Sequence, residues 1–172
     1  ILPHNLIEVL EAEIACLQDE QLLLFPDFPN GGYADVSEYN DGNGKVLVRA
    51  KLDTSDPKKI VIREIPFGST TESVISSIEA ASRKGKLKIA GISDFTAENV
   101  EIEVRLARGV HTSDTVDALY AFTECENSIS VNLMVIKDGK PVQMSVSDVI
   151  RENANQLVEI LKAELKLEER QL

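Results

Sequence analysis

The 172 residues include 18 basic and 29 acidic side chains, a formal net charge of −11, and 43% apolar residues. That length suits one domain, or one domain with a helical arm, and the apolar share supports a sizeable core, which excludes wholesale disorder. No apolar run approaches the ~18–20 residues of a membrane span, and the N-terminus lacks the basic-then-apolar order of a signal peptide. The chain opens at Ile1 without an initiator Met, so a piece of a longer protein is expected. Cys16 and Cys125 lie far apart and match no metal spacing, so they are expected to be ordinary thiols in a reducing cytoplasm.

In chain order, Asn5 with Glu8 forms a capping-box-like pair, and Leu6, Leu10, Ile14 and Leu17 stripe a first helix. Pro26, Pro29, Gly31 and Gly32 impose a turn-rich connection. Residues 45–52 alternate through Val46, Val48, Ala50 and Leu52 and predict one strand; residues 58–65 predict a second, hairpinned to it through residues 53–57. Ser69 with Glu72 predicts the start of a helix whose buried face is Val74, Ile75, Ile78 and Ala81, with Gly85 as its stop. Residues 100–106 alternate as a half-buried strand, and a helix starts at Thr112 or Ser113. Residues 129–135 predict a strand that turns at Asp138-Gly139 into another over 142–146. Residues 147–172 contain neither Gly nor Pro and predict one long helix. The fold class is α+β: a mixed, mainly antiparallel sheet with packed helices and a long C-terminal helix.

Catalytic constellations are scarce. Two histidines, His4 and His111, and the separated cysteines form no zinc set. There is no nucleophile elbow and no phosphate loop of Walker type. Asp35, Glu38 and Asp41 lack calcium-loop spacing and are expected in a solvated loop, so no metal site is expected.

The charge is unevenly distributed. Residues 1–44 hold nine acids and no base; residues 45–91 hold ten bases and five acids; residues 92–172 hold eight bases and fifteen acids. A basic middle between acidic ends allows one face to meet a polyanion. The candidate phosphate contacts are Arg49 and Lys51 on one face of the first strand, Arg63 on the second, and Arg83, Lys84, Lys86 and Lys88 at the end of a helix. Arg83 and Lys84 have an equal explanation in the helix dipole. With few aromatics, base stacking along a single strand is not expected, and a duplex backbone is the better partner.

Several motifs, in order, resemble one family. Ile1-Leu2-Pro3-His4-Asn5-Leu6 is similar to I-P-P-H-N-L, and residues 26–32 to P-D-F-P-T-G-G. Residues 42–50 resemble a G-x-G-K-V-x-V-R-A hairpin, and Glu64-Ile65-Pro66-Phe67 an E-I-P-Y step. Gly91-Ile92-Ser93-Asp94, Leu119-Tyr120 with Thr123, Val131-Asn132-Leu133 and Asp138-Gly139-Lys140-Pro141 follow in family order. Together they resemble the A subunits of bacterial type IIA DNA topoisomerases, gyrase and topoisomerase IV. Three departures stand out: Ser69-Thr70-Thr71 replaces V-N-K, Phe95-Thr96-Ala97-Glu98 replaces R-D-E-S, and Arg151 is the sole arginine near the start of the expected arm.

The resemblance implies a tower domain: residues 1–25 join an upstream DNA-cleavage domain, 26–146 form the tower, and 147–172 begin a coiled-coil arm. It implies a non-catalytic part of an ATP-dependent, cytoplasmic enzyme that changes DNA topology, supporting bent gate DNA. The family's catalytic tyrosine, its preceding arginine and its wedging isoleucine lie upstream of Ile1, and none of Tyr33, Tyr39 and Tyr120 matches the nucleophile. Implied partners are double-stranded DNA, a B subunit that holds Mg2+ and ATP, and a second A subunit in an A2B2 assembly; no cofactor is expected in the fragment and no membrane is involved. The alternative is a protein–protein assembly module without direct DNA contact.

Overall fold

Apolar residues fill 60–62 between charged ends, and they alternate with charged ones at 102–106; the strand period of two places Ile60, Ile62, Ile102 and Val104 on one buried face. In the computed structural model, which describes residues 2–171, the helices are α1 (Leu6–Leu17), α2 (Thr71–Arg83), α3 (Thr112–Phe122) and α4 (Val146–Gln171). The strands are β1 (Tyr33–Asp35), β2 (Lys45–Arg49), β3 (Lys51–Asp53), β4 (Lys59–Glu64), β5 (Ile89–Asp94), β6 (Ile102–Leu106), β7 (Glu126–Ser130), β8 (Met134–Lys137) and β9 (Lys140–Gln143), with a 3-10 turn at Asn40–Gly42. The class is α+β, with antiparallel sheets and a long C-terminal helix. Among the described residues, no helix is long and apolar enough to cross a membrane.

The chain divides into two units. One comprises Phe28–Val36 and Val46–Ile129. Its main sheet has the order β3-β4-β6-β5, with Ile60 opposite Val104 and Ile62 opposite Ile102. α2 and α3 cover one face: Val74, Ile78, Ala81 and Leu119 pack with Ile60, Ile62, Ile102 and Val104 in one buried cluster. The opposite face carries Lys59, Arg63, Glu101, Glu103 and Arg105 around one buried apolar residue, Val61. A smaller sheet has the order β1-β2-β7.

The run at 45–52 is two strands in different sheets, not one. The break falls at Ala50, fully buried, whose N–H donates to the Cys125 carbonyl at 2.8 Å while its own carbonyl accepts from the Tyr120 hydroxyl at 3.0 Å. These bonds hold the chain at the small residue where it passes between sheets. The helix after Ser69 begins one residue later, because Thr70 and Ser73 exchange reciprocal 3.1 Å bonds while Ser69 accepts from Asn127. β6 begins at Ile102; Val100 and Glu101 are held in the preceding turn, where the Thr96 hydroxyl accepts from the Glu101 N–H. β5, which the alternation did not reveal, is an edge strand interrupted by a bulge between Ile89 and Gly91.

The second unit comprises Ile1–Asp27, Ser37–Lys45 and Ser130–Leu172. α1 is capped by Asn5, whose Oδ1 accepts from the Ile7 N–H at 2.9 Å. It packs on α4, with Ala12, Ile150 and Ala154 buried. α4 has its first turn satisfied from a distance: the Asp41 carboxylate accepts from the Ser147 N–H at 3.2 Å, placing negative charge at the positive end of the helix. The expected strand over 129–135 is divided. β7 ends at Ser130, Val131 donates to the Gly44 carbonyl, and the tight hairpin is β8–β9. Asp138 and Gly139 turn it with φ of +51° and +73°, the left-handed pair that a two-residue turn demands.

Replacing Ile62 by Ala removes a fully buried side chain from the centre of the main sheet. A loss of ~2–5 kcal/mol is expected, read as a lowered urea midpoint. Leu157→Ala, on the exposed face of α4, is expected to shift stability by less than ~0.5 kcal/mol.

Candidate nucleic-acid interface

Seven cations are the sequence-derived candidates, and they fall into two groups. Arg49 ends β2, bonds the Glu126 carboxylate through Nε and lies 5.1 Å from the centre of the Tyr120 ring. Lys51 opens β3 and donates to Glu64 Oε1 at 3.0 Å. These two therefore do not share one strand face. Arg63 on β4 reaches Glu101 at 3.2 Å and Asp53 at 3.7 Å, and Arg83 reaches Glu79 one turn back at 3.0 Å.

Surface pairs of this kind contribute at most ~1 kcal/mol each and leave a guanidinium free to change partner. What matters is the local field. Each of these four cations has a carboxylate beside it, which cancels the attraction a phosphate would feel and adds repulsion. Lys84, Lys86 and Lys88 differ. All three are exposed, and none has a carboxylate at ion-pair distance among the described residues. Lys84 is the C-cap of α2, and the Lys86 ammonium stands 5.2 Å from the centre of the Phe122 ring. The sequence view missed the neutralising partners Glu126, Glu101 and Asp53, because strand pairing, not proximity along the chain, brings them in. The one available signal was the alternation of Glu101 and Glu103 on a strand.

The glycine and proline motifs assemble a scaffold. Gly31 and Gly32 have φ of +74° and +85°, and the Gly32 N–H donates to Glu64 Oε2 at 2.5 Å. A Cβ on Gly31 would run into the Glu64 carboxylate, and one on Gly32 would meet the Arg49 carbonyl. Phe28 and Phe67 meet with ring centres 4.9 Å apart and planes tilted by 34°. The Gly32 N–H, and then Lys51, hold the Glu64 carboxyl below the usual carboxylate range. In the other unit His4 and Tyr39 meet at 3.3 Å. Burial, with Asp41 nearby, pushes the Tyr39 hydroxyl up to about 12, and burial lowers His4. The Tyr120 hydroxyl is also raised by burial, and burial pushes the Cys125 thiol up to about 11. Among the described residues, no three His, Cys, Asp or Glu side chains converge as a metal site.

Residues 1–172 match the family model for the A subunit of DNA gyrase/topoisomerase IV. The chain belongs to this family. It is 55% identical over 168 residues to the A subunit of DNA topoisomerase 4 from Borreliella burgdorferi (strain ATCC 35210 / DSM 4680 / CIP 102532 / B31), covering 98% of this chain and 27% of that protein. It is 32% identical over 169 residues to the A subunit of DNA gyrase from Lawsonia intracellularis (strain PHE/MN1-00), covering 86% of this chain and 20% of that one. The A subunit of DNA topoisomerase 4 from Staphylococcus epidermidis (strain ATCC 12228 / FDA PCI 1200) is 26% identical over 180 residues, with 92% and 22% covered. The chain thus spans about a quarter or less of the length of these curated relatives.

In this member of the gyrase and topoisomerase IV family, Glu64 links two of the family-like motifs, and its ionisation makes the link pH-dependent. Its pKa is lower folded than unfolded, so its contribution is present above the ordinary carboxylate pKa of about 4.3 and is lost as pH falls through the lower, folded value. Glu64→Gln keeps an acceptor but not the charge. The gap in unfolding midpoint between parent and variant is expected at neutral pH and should close in acid; a gap constant from pH 7 to pH 3 would overturn the assignment.

Proposed function

We infer that this chain is the non-catalytic tower portion of the A subunit of an ATP-dependent type II DNA topoisomerase, which supports bent gate DNA while both strands are broken and a second duplex passes. Residues 1–25 would join the cleavage domain, 26–146 form the tower and 147–172 open the arm. Family membership supports the enzyme class. The single observation that carries the supporting role is the set of Lys84, Lys86 and Lys88, exposed and without a carboxylate at ion-pair distance among the described residues, on a chain of net charge −11. Bending a duplex costs ~1–6 kcal/mol, and backbone contacts repay such a cost without reading sequence.

On this reading the transesterifying tyrosine, its arginine and the wedging isoleucine belong to the A subunit outside these 172 residues. Mg2+ and ATP belong to a B subunit, another A subunit completes A2B2, and the enzyme works in the cytoplasm. Tyr39 and Tyr120 suit this division: one is buried with a raised pKa, and the other is engaged with a backbone carbonyl.

A second reading, an assembly module without DNA contact, draws on exposed apolar side chains: Leu6, Leu10 and Ile14 on α1 and Leu157, Leu161 and Leu165 on α4. Titration of a duplex against the assembled enzyme separates the two. Lys84→Ala/Lys86→Ala/Lys88→Ala is expected to reduce the slope of log K against log salt by roughly two to three. An unchanged slope favours the assembly module. The 172-residue chain alone is expected neither to cleave nor to relax supercoiled DNA in a gel assay, and relaxation by the pure chain would refute the division of labour.

A further inference from the structure

The turn that caps α4 is strained. Asn40, Asp41 and Gly42 follow one another with φ of +47°, +50° and +86°. Left-handed backbone is ordinarily a single-residue event, because a β-carbon carried into it is crowded, and a run of it persists only where its surroundings hold it. Here the surroundings are the start of α4. The two Asp41 carboxylate oxygens accept from the Ser147 N–H at 3.2 and 3.3 Å, and the Asn43 amide donates to the Met144 carbonyl at 3.0 Å. Gly42 is buried so close to Val146, the first residue of α4, that a Cβ on it would stand 2.7 Å from the valine Cγ2.

Tyr39 anchors the turn from its other end. It is 2% exposed, its carbonyl accepts from the Gly42 N–H at 3.2 Å, and its ring lies 6.1 Å from that of Phe25 between centres. Its hydroxyl meets His4 Nε2 at 3.3 Å. The histidine is fastened on both flanks: the Asp27 N–H donates to the Pro3 carbonyl at 2.9 Å, and the Asn5 amide donates to Asp27 Oδ2 at 3.3 Å. A fixed imidazole therefore faces the buried end of the residue that anchors the strained turn.

A proton reverses the direction of this contact. The ring also bonds the Leu2 carbonyl, which keeps the hydrogen of the neutral form on the other nitrogen and leaves Nε2 to accept from the Tyr39 hydroxyl. In the protonated ring Nε2 is a donor, so the tyrosine hydrogen loses its acceptor and a charge stands half-buried. Burial holds His4 below its ordinary pKa of about 6.5; the Leu2 carbonyl and Glu8 on α1 act the other way, and the amine of residue 1, where the chain begins there, adds to the lowering. The remaining titratable groups of these segments are Asp27, bonded to Asn5, and Asp41, behind Tyr39. With the pKa lower in the closed arrangement, closure is favoured above about 6.5 and loses ground as pH falls from there through the closed-form value.

We propose that His4, Tyr39 and the turn at 40–42 form a proton-operated latch on the start of α4. With His4 neutral the latch is closed and Asp41 caps the helix. Protonation of His4 releases Tyr39, the turn leaves its left-handed run, and the first turn of α4 loses its cap. All of these residues belong to one unit, so the latch operates within it and independently of any duplex.

Amide hydrogen exchange over residues 146–150 reads the latch in the assembled enzyme, each rate being divided by that of the unfolded chain at the same pH. Protection there is expected to be lost between about pH 7.5 and pH 5.5, while residues 74–81 of α2 keep theirs. His4→Gln offers Tyr39 an amide oxygen but takes up no proton, and is expected to hold protection level across the range. Tyr39→Phe leaves His4 nothing to bond, and is expected to show near pH 7.5 the low protection that the parent shows near pH 5.5. Melting temperatures close to the parent's verify that each variant folds, and Tyr39→Phe tests the contact even if His4→Gln does not fold. Protection at 146–150 that is constant with pH in the parent overturns the proposal. So does a pH-dependent loss that survives His4→Gln, since another group then titrates, or full protection in Tyr39→Phe. An equal loss over 74–81 identifies general loosening in acid and overturns it as well.

Discussion

Burial of one face of β4 and β6 beneath α2 and α3 governs the larger unit. Ile60, Ile62, Ile102 and Val104 are fully buried there with Val74, Ile78 and Leu119. At about 25 cal/mol per Å² of apolar surface, this cluster is what offsets the entropy of ordering four strands and two helices. Because a strand alternates its side chains, fixing the apolar face inward also fixes the other face outward. That outer face becomes a field of charge: Lys59 pairs with Glu103 at 2.7 Å, and Arg63 with Glu101 and Asp53.

The same constraint sorts the cations. Lys51 stands opposite Glu64 in the antiparallel register of β3 and β4, while Lys59, itself opposite Arg105, reaches diagonally to Glu103. Lys84, Lys86 and Lys88, on the link between α2 and β5, have no carboxylate at ion-pair distance among the described residues. The result is a unit in which several strand charges cancel locally, while the link after α2 keeps a net positive sign. Electrostatic attraction of a polyanion depends on that uncancelled remainder, and it falls with salt because exposed charges are screened over ~10 Å at 0.1 M.

Motifs that mark the family do structural work in this fold. Gly31 and Gly32 bring backbone against Glu64 and the Arg49 carbonyl, an approach that any Cβ would block. Glu64 in turn holds Lys51, so the glycine turn, the start of β3 and the end of β4 are joined at one carboxylate. Asp41 plays a comparable part in the other unit as a remote cap for α4. Polar residues in these places join segments distant in sequence.

The sequence alone determined the fold class, the apolar faces of α2 and β6, the Asp138-Gly139 turn and the family, because each is written in local periodicity, turn chemistry or motif order. It also placed the lysines that follow α2. The tertiary structure decided where the run at 45–52 changes sheets, since Ala50 is held by a carbonyl at Cys125 and a hydroxyl at Tyr120. It decided that Thr70, not Ser69, caps α2, because Asn127 claims Ser69. It decided too which cations are cancelled. Such facts depend on strand register and on which ends of elements meet, and long-range pairing sets both.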